Sequence, residues 1–181
     1  MQSLILIGYR GTGKTTVARK LADRLAVPVL DSDAEIECRA KKSIAEIFAQ
    51  DGEPAFRDLE ESVIADILAQ SGPLVLATGG GAVLRANTRD RLRQSGKVIW
   101  LTATPETILH RITCDAASQT MRPNLTALPM QQEIVMVLEQ RKTLYAETAH
   151  ETIATDSLSS DEIVEIVFAR AAKVHCVEST A

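Results

Sequence analysis

Apolar and polar positions along the chain fall into two alternating rhythms. Leu4-Ile5-Leu6-Ile7, Val27-Pro28-Val29-Leu30, Leu74-Val75-Leu76-Ala77-Thr78 and Val98-Ile99-Trp100-Leu101 are short, nearly unbroken apolar runs. That is the pattern of strands buried in a parallel sheet. Between them apolar residues recur three and four apart: Val17, Ala18, Leu21, Ala22 and Leu25 mark a helix opening near Lys14. The same spacing predicts helices over about 34–40, 43–50, 54–70, 88–94, 105–112, 130–148 and 161–173, and a fifth short strand near 151–154. Ser43 and Glu46 have capping-box spacing, Gly52 is placed to stop one helix and Pro54 to open the next. Residues 114–128 have little periodicity and read as a mobile loop. Strands alternating with helices predict a parallel sheet covered on both faces: one α/β/α domain over 1–174, with a tail at 175–181.

Composition narrows the function classes. The chain has 181 residues, a net charge of −4 and 3% aromatics. One domain of that size buries a sizeable core. An acidic balance (pI about 5.4) lacks the basic footprint of a nucleic-acid binder, and few aromatics leave few platforms for bases. No apolar stretch approaches a membrane span, and Met1-Gln2-Ser3 has no basic region before an apolar run that stops at Gly8. Cys38, Cys114 and Cys176 suggest neither a disulfide framework nor a zinc motif. A cytoplasmic protein with reduced thiols is expected, with neither nucleic acid nor membrane as partner.

The chemistry concentrates where predicted strands end. Gly8-Tyr9-Arg10-Gly11-Thr12-Gly13-Lys14-Thr15 fits G-x-x-x-x-G-K-[ST] and lies between a strand and a helix. In that context backbone N–H groups and the helix dipole bind phosphates, Lys14 reaches the outer phosphates and the Thr15 hydroxyl serves Mg²⁺. Asp31-Ser32-Asp33 follows the second strand. Two acids so spaced can face one way from an extended segment, one supporting Mg²⁺ and the other accepting a hydroxyl proton. Asp33 equally suits a helix N-cap.

Arg57 has Glu60 and Glu61 at i+3 and i+4, the spacing of a solvated ion pair. Arg141 is flanked by Val137, Leu138, Leu144 and Tyr145, so its guanidinium emerges from an apolar face. Two arginines near Gly79-Gly80-Gly81 would suit a small carboxylate-bearing substrate. No Lys-x-Asp occurs, which excludes the guanine-reading motif of GTPases, and Asp161-Glu162 follows two serines rather than an apolar strand, unlike motor ATPases. Another small-molecule or nucleoside-monophosphate kinase, or a nucleotide-binding regulatory module, stays open on these residues.

Six pieces in order resemble the shikimate kinase family over about residues 4–156. They are the phosphate loop; Asp31-Ser32-Asp33; the run from Ile44 through Gly52-Glu53 to Phe56-Arg57 and Glu60; Thr78-Gly79-Gly80-Gly81; Met121-Arg122-Pro123; and Arg141-Lys142-Thr143-Leu144-Tyr145. The resemblance implies a P-loop fold like that of nucleoside-monophosphate kinases, with a five-stranded parallel sheet, a substrate segment over about 32–61 and a mobile lid over about 113–125. It implies transfer of the ATP γ-phosphate to the 3-hydroxyl of shikimate, with Mg²⁺, by a monomer. Lys14, Asp33 and Arg122 would be catalytic. Gly11, Thr12, Gly13, Lys14, Thr15, Thr16, Arg111 and Arg122 would bind ATP, with Arg111 against the adenine. Asp33, Arg57, Gly79, Gly80, Gly81 and Arg141 would bind shikimate, and Thr15 and Asp31 the metal. The family usually has an apolar residue after Arg122-Pro123, where this chain has Asn124.

Overall fold

Strand β1 (Ser3–Ile7) shows how the molecule is layered. Successive strand residues point to opposite faces. Ile5 and Ile7 enter one apolar core with Leu76 and Val98, whereas Leu4 and Leu6 enter a second core with Val75 and Ile99. A sheet that is apolar on both faces needs helices on both. The computed structural model describes residues 2–114 and 129–177, with side chains as far as Arg170. Among them β1, β2 (Val29–Asp31), β3 (Val75–Ala77), β4 (Gly96–Thr102) and β5 (Glu151–Ala154) pair in the order β2-β3-β1-β4-β5. Every pairing is parallel, with Leu4 opposite Val75 and Ile5 opposite Val98. The expected three-layer fold with a five-stranded parallel sheet is borne out.

The described helices are α1 (Lys14–Leu25), α2 (Ser32–Ala40), α3 (Ile44–Gln50), α4 (Gly52–Leu68), α5 (Ala86–Ser95), α6 (Pro105–Cys114), α7 (Met130–Thr148) and α8 (Ser160–Val177). Ser43 and Glu46 form the capping box that opens α3. The Asp51–Gly52 junction does two jobs, because Asp51 closes α3 and also precedes α4, whose first residue Gly52 has φ +82°. Gly52 thus starts a helix as well as ending one. Strand β2 is shorter than its apolar run. It lies at the sheet edge, Val29 is exposed, and Pro28 offers no N–H to a ladder. Among the described residues no helix is long and apolar enough to cross a membrane.

In open parallel sheets ligands settle beyond the carboxyl ends of the strands where the winding reverses. Here β1 lies between β3 and β4. The turns after β1, β2 and β3 therefore meet at one end of the sheet.

Candidate active site

The phosphate loop bridges Ile7 and Lys14 and is shaped by backbone contacts. Gly8 has φ +142°, and a Cβ there would run into the carbonyl oxygen of Leu101 on β4. Gly13 caps α1 with φ +90° and no side-chain hydrogen bond to the helix N–H groups, so that end of the helix is suited to an anion. Lys14 is buried, and its Nζ donates to the Tyr9 carbonyl at 2.8 Å. Thr12 Oγ1 donates to the same carbonyl at 2.8 Å. Gly11, Thr12, Gly13, Lys14, Thr15 and Thr16 all lie on this loop or in the first turn of α1.

Asp31, at the end of β2, links that loop to α2. Its Oδ2 accepts from Thr15 Oγ1 at 2.8 Å, and its Oδ1 accepts from Asp33 N at 3.0 Å. This corrects one expectation: the N-cap of α2 is Asp31, not Asp33. Asp33 stands within the first turn of the helix, so the two acids do not share an extended segment. Three consecutive good capping residues leave the choice open until the strand ends. Ser32, buried between them, accepts at Oγ from Gly79 N at 2.9 Å. That contact ties the Asp31–Asp33 turn to the glycine turn, and no motif spacing announced it.

A second group of candidate residues gathers around Gly79, Gly80 and Gly81 after β3. Arg57 on α4 is buried, not solvated. Its Nη1 donates to Glu60 at 2.5 Å, its Nε and Nη2 donate to Glu53 Oε1 at 3.2 Å, and its guanidinium lies 4.9 Å from the Phe56 ring centroid. Glu61, which the helical spacing offered as a partner, pairs instead with Arg85 at 2.8 Å. The Arg57 guanidinium rests directly on Gly81, where a Cβ would come within 2.5 Å of Cζ. Arg141 on α7 donates from Nη1 to the Gly80 carbonyl at 2.9 Å, and the Tyr145 hydroxyl donates to the same oxygen at 2.5 Å. Gly80 in turn packs on the phosphate loop: a Cβ there would stand 3.4 Å from Gly8 O and 3.5 Å from Arg10 N. The turn that gathers the arginines therefore abuts the Gly-rich loop.

Glu133, Val137, Arg141 and Tyr145 repeat every fourth residue on the buried face of α7. Glu133 is fully buried and accepts from Arg10 Nη2 at 3.3 Å. Burial pushes the Tyr9 hydroxyl above the usual phenol range, with Arg10 opposing and Glu133 adding to the rise. Arg111 on α6 is pinned by Thr155, to which it donates at 2.9 Å (Oγ1) and 2.7 Å (carbonyl), and it reaches the Gly11 carbonyl at 3.4 Å. The expected lid lies outside the described residues, Thr113 and Cys114 excepted, and Arg122 and Asn124 lie there too. Sequence reasoning passed over Ser32, Glu53, Arg10 and Glu133. Only the fourfold repeat on α7 carried a signal, for Glu133.

A Gly-rich loop between the central strand and a helix, with an acid at the next strand end and cations over a glycine turn, defines a P-loop kinase. A gluconokinase from Sinorhizobium meliloti superposes with a TM-score of 0.60 at 18% identity over 99% of this chain and 98% of that one, a likeness of fold alone. The shikimate kinase family model matches residues 10–172. The shikimate kinase of Rhodopirellula baltica is 40% identical over 90% of this chain and 87% of its own, and that of Pseudomonas syringae pv. syringae 40% over 96% and 98%. A shikimate kinase from Acinetobacter baumannii, solved in complex with shikimate, superposes with a TM-score of 0.88 at 35% identity, covering 96% of this chain and 94% of that one. The chain belongs to the shikimate kinase family.

Proposed function

We propose that this chain transfers the γ-phosphoryl group of ATP to the 3-hydroxyl of shikimate, giving shikimate 3-phosphate and ADP. The observation that carries this is Gly80, whose backbone packs against Gly8 and Arg10 while its carbonyl holds Arg141, and whose neighbour Gly81 carries Arg57. Two guanidiniums of the kind that bind a small carboxylate thus gather on a turn that packs against the phosphate loop, which supports an acceptor held beside the donor.

Phosphoryl transfer spreads charge over the γ-phosphate oxygens, so the protein contributes positioning and positive potential. Lys14 leaves the Tyr9 carbonyl for those oxygens, and the N–H groups around Gly11, Thr12, Gly13 and Thr16 cradle the inner phosphates. Arg57 and Arg141 take the shikimate carboxylate in bidentate fashion. Gly79, Gly80 and Gly81 let the ring approach the backbone. Asp33 orients the acceptor hydroxyl and accepts its proton. Arg111 lies against the adenine, and Arg122 comes to the phosphates.

The donor set fits magnesium: a hydroxyl and a carboxylate are hard oxygen ligands, and Thr15 Oγ1 and Asp31 Oδ2 stand 2.8 Å apart at the loop. Thr15 would bind the ion directly and Asp31 in its outer shell, and the ion would offset charge on the phosphate oxygens. The chain acts as a single domain over 1–174 in the cytoplasm, as a monomer. The acidic balance and the exposed free thiols of Cys38 and Cys114 support that setting.

Phosphorus NMR of the product from Mg·ATP and shikimate tests the assignment. One new ester, on the 3-hydroxyl, is expected. An ester elsewhere on the ring would overturn the orientation given to Asp33, and no ester at all would overturn the acceptor.

A further inference from the structure

Arg10 and Glu133 belong to none of the roles assigned above. Arg10 fills an unspecified position of the phosphate-loop pattern, and Glu133 sits in the first turn of α7. Their pairing is nonetheless built deep. The Glu133 side chain has no exposure while that of Arg10 keeps 16%, and Nη2 meets Oε1 at 3.3 Å. A carboxylate taken wholly out of water is costly unless paired, and here the start of a helix and a guanidinium both compensate it. The consequence for Arg10 is a fixed orientation. One end of its fork is engaged by Glu133, whereas its Nε is buried and meets no acceptor at hydrogen-bonding distance among the described residues.

The surroundings give that donor a direction of use. The Tyr9 ring, 5.8 Å from the guanidinium, belongs to an apolar cluster with Ile108, Ile112, Ile134 and Val137. The backbone of Arg10 lies against Gly80, whose carbonyl holds Arg141. Arg10 therefore stands at the seam between the phosphate loop and the acceptor turn.

We propose that Arg10 contacts the phosphoryl group as it passes from nucleotide to acceptor, and that Glu133 is its positioning residue. Arg10 makes and breaks no bond. Its guanidinium stabilises charge that develops on the phosphoryl oxygens. One face of α7 then serves both substrates: Glu133 orients Arg10 at the start of the helix, and Arg141, about 12 Å further along the axis, faces the acceptor. This rests on the phosphotransfer proposed above.

The test is steady-state kinetics of the full chain with Mg·ATP and shikimate, alongside Tm, for Arg10→Met, Glu133→Gln and the double variant. Arg10→Met is expected to lower kcat about a hundredfold and Glu133→Gln about tenfold, with the KM for shikimate unmoved. The double variant falls no lower than Arg10→Met, because the pair acts as a unit. Wild-type kcat in Arg10→Met overturns the contact. A Glu133→Gln protein with lowered Tm and wild-type kcat overturns the positioning role, as do losses that multiply in the double variant. Should Glu133→Gln fail to fold, Glu133→Asp keeps the charge but displaces the guanidinium: a kcat between wild type and Arg10→Met supports the proposal, and wild-type kcat overturns it. Wild-type protein that never phosphorylates shikimate would defeat the underlying phosphotransfer. Normal wild-type turnover with indifferent variants would defeat this inference alone.

Discussion

The two halves of the site are built in opposite ways. On the nucleotide side the residues are contiguous, Gly8 to Thr16, and the backbone does most of the shaping. Lys14 is held by a carbonyl of its own loop. On the acceptor side the residues come from four separate places, and ionised side chains hold one another: Arg57 stands between Glu53 and Glu60, and Arg141 reaches across to Gly80. A loop held by its own backbone can lose a side chain without losing its shape. The acceptor side includes a buried ion pair, Arg57 with Glu60, so there binding and stability are linked.

That difference is open to breakage, beginning with Lys14→Ala. With the role proposed for Lys14 on the transferring phosphoryl group, the variant's kcat is expected to fall about a thousandfold. Its Tm should barely move, because the loop is shaped mainly by its backbone and the Lys14 Nζ bond to the Tyr9 carbonyl is made within that same loop. A large loss of Tm would erase the contrast between the halves. Asp33→Asn comes next, with kcat about a hundredfold down and Tm close to wild type. Its cap-forming neighbour Asp31 is untouched and α2 keeps its N-terminus. Unchanged kcat would remove Asp33 from the chemistry.

Arg57→Ala sharpens the comparison most, because it should register in two assays. Losing a bidentate charged contact costs about 2 kcal/mol, or about thirtyfold in the KM for shikimate. Removing the guanidinium paired with buried Glu60 costs about 3 kcal/mol of stability. A variant that shifted KM without Tm would show that Glu60 does not depend on Arg57.

The smallest effect belongs to His150, remote from both halves. Its Nδ1 accepts from Val98 N at 3.0 Å, joining β4 to β5. Burial, with Arg93 and Lys97 nearby, lowers its pKa below the ordinary 6.5. The folded state therefore favours neutral imidazole. Stability from this group is present above pH 6.5 and is lost as the pH falls from there through the lower, folded-state value. Tm followed across that range should decline on the acid side, and less so in His150→Gln. Parallel declines in the two proteins would assign the loss to other groups.

Legibility in the sequence divides along the same line. The strand, Gly-rich loop and helix of the nucleotide side form one continuous pattern, and the long α7 and strand β5 have the expected bounds because Pro129 and the Ala149-His150 junction interrupt the apolar periodicity. On the acceptor side the residue types of Arg57, Arg141 and the triple glycine suggested a small carboxylate, but nothing local relates Arg57 to Gly81 or Arg141 to Gly80, and the resemblance had to join them. Arg57 illustrates the limit. Partners at i−4, i+3 and i+4 are equally available on a helix, and tertiary packing selected Glu53 and Glu60 while Arg85 claimed Glu61. The capping of α2 by Asp31 was likewise decided by where β2 ends, and the apolar run overstates β2 at its start, where Pro28 accepts from Val75 N but has no N–H to donate.

The most direct test of the central claim, that a phosphate loop and a carboxylate-binding pocket act on one acceptor, is ADP release from Mg·ATP with shikimate, without it, and with nucleoside monophosphates in its place. Release that requires shikimate, and is lost in both Lys14→Ala and Arg57→Ala at subsaturating shikimate, is the predicted result. Release with a nucleoside monophosphate and none with shikimate would contradict it.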